Sequence, residues 1–229
     1  MIDLFIAGHG KKKNGSFDSG ATGYITQGEH SYMSKVLFPT MKKYLPDGAK
    51  PIFHTEYNVY DYGNIVSLAK KYGNGVRVTE FHFDGGGNAN AKGGHVIIHK
   101  AFKPDELDLK LRNAIRDTVG INSIYNHGGN VGISGRDDLA NVNRSANSGV
   151  NYRLIEVGFG TNKQDSDYMV KNVDEIAKAL VKAFYGTIKT TEKTEKIFRV
   201  QVGAFSKLEN AKRLQNELKS KGYKDTFII

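Results

Sequence analysis

Ile2-Asp3-Leu4-Phe5-Ile6-Ala7-Gly8-His9-Gly10 decides how the rest of this chain is read. One aspartate interrupts an otherwise apolar run, and a histidine flanked by glycines follows it. A short apolar run closed by glycine predicts a buried strand that stops at a tight turn. In open α/β sheets, ligand-binding groups collect beyond the carboxyl ends of strands. His9 therefore falls where a metal ligand is useful. Three other segments point the same way: Gln27-Gly28-Glu29, Glu80-Phe81-His82 and Leu154-Ile155-Glu156. Together they suggest a mononuclear zinc hydrolase.

Working outward from residues 2–7, apolar runs alternate with stretches of helical period. Helices are predicted over 29–44, 62–72, 104–119, 165–171 and 173–185. Strands are predicted over 50–54, 75–83, 95–99 and 152–157, with a short one near Gly132-Ile133 and a helical turn over 138–143. Strands separated by helices of this length imply crossover connections and a largely parallel sheet. The expected fold class is α/β, a largely parallel twisted sheet with helices on both faces, followed by a small βαβ unit. The domain reading is 1–185 for the large domain, 186–196 for a linker rich in Thr, Lys and Glu, and 197–229 for the βαβ unit.

Composition narrows the chemistry. The chain has 229 residues, 39% of them hydrophobic, and 26 glycines against 4 prolines. That suits one moderate domain with an appendage. Cysteine is absent, so disulfides, a thiol nucleophile and a thiolate zinc site are excluded. Any metal rests on Asp, Glu and the 7 histidines. The net charge of +9 favours a polyanionic partner. No aromatic RNP stripe, zinc-finger spacing or basic recognition helix supports nucleic acid. No apolar stretch approaches the roughly 18 residues that span a bilayer, and no signal peptide is visible. The expectation is synthesis and folding in the cytosol, so that a substrate outside the membrane requires another agent to release the protein.

A hydrolytic zinc takes three His or carboxylate ligands and keeps a fourth position for water, and a further carboxylate moves protons. His9 and His82 at strand ends, with Glu29 and Glu156, supply the residue types. Each has a plainer reading: a loop histidine, a core histidine, a helix-start acid attracted by the dipole. Glu156 is harder to dismiss. It lies inside an apolar strand, where an unpaired carboxylate is costly. An active site or a buried ion pair must account for it. Glu80 shares a face with His82 and is a candidate to orient it. HExxH, GxSxG and P-loop motifs are absent.

With these residues on the page, the chain resembles the zinc-dependent N-acetylmuramoyl-L-alanine amidases of the amidase-3 family. That family opens on a strand and a GHG-like turn, followed by a D-x-G-A-x-G loop and a Glu at a helix start. Here these read Gly8-His9-Gly10, Asp18-Ser19-Gly20-Ala21-Thr22-Gly23 and Glu29. The S-x-H-x-N strand end reads Glu80-Phe81-His82-Phe83-Asp84. The L-x-E-x-G-F-x-x-N segment reads Leu154-Ile155-Glu156-Val157-Gly158-Phe159-Gly160-Thr161-Asn162. The family's Asn-Arg-Gly-like stretch is replaced by Asn126-His127-Gly128-Gly129-Asn130.

The resemblance implies Zn2+ held by His9, Glu29 and His82, with Glu156 as general acid and base. Glu80, Asn130 and Asn162 are expected beside the ligands or the substrate. The implied reaction is hydrolysis of the amide between N-acetylmuramic acid and L-alanine of peptidoglycan, with a phage endolysin as the expected origin. The alternatives are a mother-cell or autolytic amidase of a spore former, a zinc peptidase acting on the stem peptide, and a non-catalytic wall-binding module.

The tail has its own resemblance. Phe198-Arg199-Val200-Gln201-Val202-Gly203-Ala204-Phe205-Ser206, Glu209-Asn210-Ala211 and Leu218-Lys219-Ser220-Lys221-Gly222-Tyr223 look like the first half of a SPOR domain, a peptidoglycan-binding module. Strands are predicted over 198–202 and 226–229, around a helix over 208–221. So small a unit buries little core alone, and a homodimer through residues 197–229 is expected.

Overall fold

The computed structural model describes residues 2–88, 90–190, 200–224 and 226–228. The chain divides into two units, Met1–Thr191 and Glu192–Ile229.

The first unit is built on a six-stranded sheet. Its strands run in the order Ile52–His54, Asp3–Ala7, Arg77–Asp84, Asn151–Phe159, His95–His99, Ile133–Arg136. The first four are mutually parallel, and so are the last two. The two groups meet antiparallel where Asn151–Phe159 pairs with His95–His99. The largely parallel sheet of the sequence reading is present, with this one reversal inside it.

Alternation along each strand divides the core in two. Phe5, Ala7, Phe81, Phe83, Ile155 and Val157 pack under the helices Phe38–Tyr44, Glu106–Arg116 and Val173–Tyr185. Leu4, Ile6, Val78, Leu154 and Ile97 face the other way, toward Val59, Ile65, Leu68 and Val142. Glu80, His82 and Glu156 share the parity of this second face. Their carboxylates and ring continue an apolar stripe to the end of the sheet where the strands run out into loops.

The helix predicted over 29–44 is continuous but not regular. Glu29–Tyr32 passes into a π-helical turn, Met33–Leu37, before Phe38–Tyr44. Helix 62–72 is two short segments, Val59–Tyr62 and Ile65–Lys70, broken at Gly63, which adopts φ 62°. Two hairpins that carry no long apolar pattern were not anticipated: Gly10–Lys11 with Phe17–Asp18, and Asn126–His127 with Asn130–Val131. An ion pair buried beneath the sheet ties Arg153 to Asp108 at 2.6 Å, and Arg153 is 2% exposed.

In the second unit, Leu208–Ser220 is helical and buries none of its residues. Val200–Val202 and Thr226–Ile228, expected as strands, are not in a strand. Phe198, Arg199 and Ile229, which belong to the same two expected strands, lie outside the described residues. A strand is held by its ladder to a neighbour, and the local alternation read from the sequence does not supply one. None of the helices among the described residues is long and apolar enough to cross a membrane.

Candidate metal centre

The first strand ends at Ala7, and the turn that follows throws His9 across the end of the sheet. His9 is the one non-glycine among the described residues with a left-handed backbone, φ 62°. Such a conformation costs on the order of 1 kcal/mol and persists where surrounding structure imposes it. Here the imposition is visible. His30 Nδ1 contacts the Gly8 carbonyl oxygen at 2.8 Å, and Gly8 N–H donates to the Phe81 carbonyl at 3.0 Å. A Cβ on Gly8 would lie 2.0 Å from His82 Cε1, and one on Gly20 would lie 2.6 Å from a Glu29 carboxylate oxygen. The glycines leave the space that the rings and the carboxylate occupy.

His9, Glu29 and His82 each present a ligand atom, and these atoms lie within 4.8 Å of one another. Glu29 starts its helix immediately after Gly28 and is 2% exposed. One of its oxygens is 3.3 Å from His9 Nε2 and accepts from Ala21 N–H at 2.9 Å. The other touches His82 Nδ1. The far nitrogen of each ring meets a second carboxylate. His9 Nδ1 is 3.0 Å from Asp18 Oδ2, and His82 Nε2 is 3.2 Å from Glu80 Oε1. Asp18 is itself held by Asn58 and Gly20 N–H, and Glu80 by Asn141 and the Tyr152 hydroxyl. Carboxylates behind ligating histidines fix the tautomer and raise basicity, so the bare nitrogen faces the centre.

Two imidazoles and one carboxylate, with no thiolate in the chain, form a donor set suited to zinc with an open fourth position. The residues present fit that ion.

Electrostatics separates the two central carboxyls. Burial pushes Glu29 up, but the His82 and His9 rings outweigh it and hold it down to about 2. Glu156 goes the other way. Burial drives it well above the usual range. His82 partly opposes this, while Asp84, Glu29 and Glu80 add repulsion. Its Oε2 is buried without a hydrogen-bond partner. In register, Glu156 lies between His82 on one neighbouring strand and His95 on the other. The rings favour the ionised form of one carboxyl, and burial with acidic neighbours raises the proton affinity of the other.

Asn130 and Asn162 are the other two residues expected beside the ligands or the substrate. Asn162 caps the helix Lys163–Lys171, its Oδ1 accepting from Gln164 and Asp165 N–H. Asn130 donates to the His127 and Gly128 carbonyls within its own hairpin. The sequence reading gave no separate role to Asp18, Asn141, Tyr152, Asp84 or His95. Tyr152, Leu154 and Glu156 alternate onto one face, and that signal was legible. Asp18 opens the D-x-G-A-x-G loop of the sequence, whereas Asn141 reaches Glu80 from 61 residues away and left no signal.

Comparison with known proteins follows this geometry. The N-acetylmuramoyl-L-alanine amidase model, Amidase_3, matches residues 4–190. A SPOR domain model matches residues 170–229. The chain is 33% identical over 217 residues to the probable autolysin PH of Staphylococcus aureus, covering 84% of this chain and 42% of that protein. It thus spans about two fifths of the length of this curated relative. Among solved structures, the catalytic domain of the CD27L endolysin targeting Clostridia difficile superposes with a TM-score of 0.58 at 21% identity. It covers 82% of this chain and 98% of that domain. The amidase Ami1 of Mycobacterium smegmatis gives a TM-score of 0.58 at 18% identity, over 81% and 95% of the two chains. At these identities the structures show a shared fold. The sequence match over residues 4–190, together with a His/Glu/His centre suited to zinc, shows that this chain belongs to the Amidase_3 family of N-acetylmuramoyl-L-alanine amidases.

Proposed function

We propose that the protein hydrolyses the amide between the lactyl group of N-acetylmuramic acid and L-alanine in peptidoglycan. The observation that carries this reading is the three-ligand cluster beside Glu156, a carboxyl of raised proton affinity in register with His82. His9, Glu29 and His82 would hold the zinc ion, which when bound supplies Lewis acidity at the scissile carbonyl and acidifies water. Glu156 takes a proton from the attacking water and returns it to the alanine nitrogen, so that the peptide leaves as an amine. Glu80 and Asp18 accept from the outward nitrogens of His82 and His9 and keep the inward nitrogens bare.

Digestion of purified Gram-positive walls, analysed by mass, tests the reading. New N-terminal alanine with a free lactyl carboxyl is expected. A chelator abolishes the cut and added zinc restores it. Cleavage within the stem peptide supports the zinc peptidase alternative instead, and wall binding without release supports a non-catalytic module. The 33% identity to a probable autolysin, against 21% to an endolysin domain, favours an autolytic amidase over the phage endolysin expected from the sequence.

We also propose that the second unit self-associates and holds the wall. Val200 is 83% exposed, and Val202, Phe205, Leu208, Tyr223 and Phe227 are exposed as well. Apolar side chains gathered in so short a segment suit contact with a second copy. Light scattering at rising concentration is expected to show dimers that dissociate when Val200 and Leu208 are replaced by Asp. A monomer at every concentration overturns the dimer. The SPOR match supports wall binding by this unit, and salt-sensitive retention on anionic walls is the expected behaviour.

A further inference from the structure

Around Glu156, at the end of the sheet, lie polar side chains that the mechanism does not use: Asp84 on the strand of His82, and His95 on the strand opposite. His95 begins the strand His95–His99 opposite Glu156 and is 1% exposed. Its ring stacks on Tyr125, with centroids 3.9 Å apart and planes at 30°. Its Nδ1 is 3.6 Å from Asp84 Oδ2. Neither ring nitrogen, nor Asp84 Oδ2, nor Glu156 Oε2 has a hydrogen-bond partner. Buried polar atoms are rarely left so, and here four of them belong to three residues at one end of the sheet. Burial holds the His95 ring down to about 3, so it is a neutral imidazole with one N–H to give.

Asp84 closes the strand that carries His82, two residues on and therefore on the same face. Its side chain is 27% exposed although Oδ2 is buried toward His95. A carboxylate whose inner oxygen faces an imidazole, and which still reaches the surface beside the general acid, is an acceptor presented to whatever lies there. Ionised carboxylates only accept, so the complement is a donor.

We propose that Asp84 is a substrate-positioning residue whose carboxylate accepts a hydrogen bond from an amide N–H of the bound substrate beside the scissile bond, and that His95, stacked on Tyr125, fixes its orientation. This rests on the amidase reading, because that substrate carries a neutral amide N–H on each side of the bond cut: the acetamido group of the sugar and the peptide link following alanine. Both are the same chemistry, and the test separates them.

Binding is measured by calorimetry in the Glu156→Gln protein, which removes turnover from the readout. The probes are N-acetylmuramoyl-L-alanyl-D-isoglutamine, an analogue with an acetate ester in place of the acetamido group, and a form with an ester in place of the link after alanine. Asp84→Ala is expected to weaken the first probe about tenfold. His95→Phe, which keeps volume and stacking, weakens it about threefold alone and has no further effect in Asp84→Ala. His95→Gln, which keeps a donor, restores binding. The probe lacking the relevant N–H binds parent and Asp84→Ala equally, and so identifies the source. Zinc content stays stoichiometric throughout. Equal affinity of parent and Asp84→Ala for the first probe overturns the proposal, and so does the same loss on all three. Failure of the wall digest removes the amidase reading alone, because these arms read affinity.

Discussion

Replacing Glu156 with glutamine lowers wall hydrolysis by about 10²–10⁴-fold while zinc content and fold are kept. Glutamine matches glutamate in shape and cannot carry the proton. The site already favours a neutral group: Glu156 is held well above the usual carboxylate range by burial and by Asp84, Glu29 and Glu80. Its Oε2 has no hydrogen-bond partner to lose. Thermal stability is therefore expected to be unchanged or slightly raised, in line with the usual conflict between activity and stability at such sites. Single-turnover rates on soluble muropeptides, zinc by elemental analysis and a melting curve check the three parts. Near-normal turnover would remove Glu156 from the reaction, and loss of zinc would make it a ligand.

The second large effect follows from His82. Substituting alanine removes one of the three candidate metal ligands and the group that stands between two buried carboxylates, Glu29 and Glu80. Activity and stoichiometric zinc should be lost together. Stability falls as well, by about 3–5 kcal/mol, because breaking a buried pair from one side leaves charge unpaired. Tyr152 and Asn141 still hold Glu80, which keeps the loss toward the lower end. Denaturant titration of the zinc-free parent and variant isolates the fold contribution from that of the ion. Stoichiometric zinc in the variant would show that His82 is not a ligand. An unchanged denaturation midpoint would show that neither carboxylate depends on it.

A change at either residue acts on a centre assembled from separate segments of the chain, and this is where sequence and structure part. Each of the four central residues sits at a position with a local cause. His9 follows the end of a buried strand, Glu29 starts a helix after glycine, and His82 and Glu156 continue strands whose alternation sets their face. Helices such as Val173–Tyr185 and strands such as His95–His99 were legible for the same reason, because hydrophobic period is a local property. The short hairpins were not, since two paired residues carry too little pattern to rise above a loop.

Composition alone restricts the donors of the centre. Without cysteine, a hydrolytic metal had to rest on histidine and carboxylate. Local pattern also marks which strand ends could supply them and the alternation of helix and strand that builds the sheet. Which groups stand behind and beside those residues depends on the packed fold. Asp18 backs His9 across a hairpin, while Asn141 and Tyr152 fix Glu80 from 61 and 72 residues away. The reversal that sets His95 against Glu156 belongs to sheet order. Asn162, a motif residue in the sequence, turned out to cap a helix. The physical reason is one of range. Periodicity and turn chemistry act over a few residues, whereas hydrogen bonds between distant segments form only once packing of the sheet has brought them together.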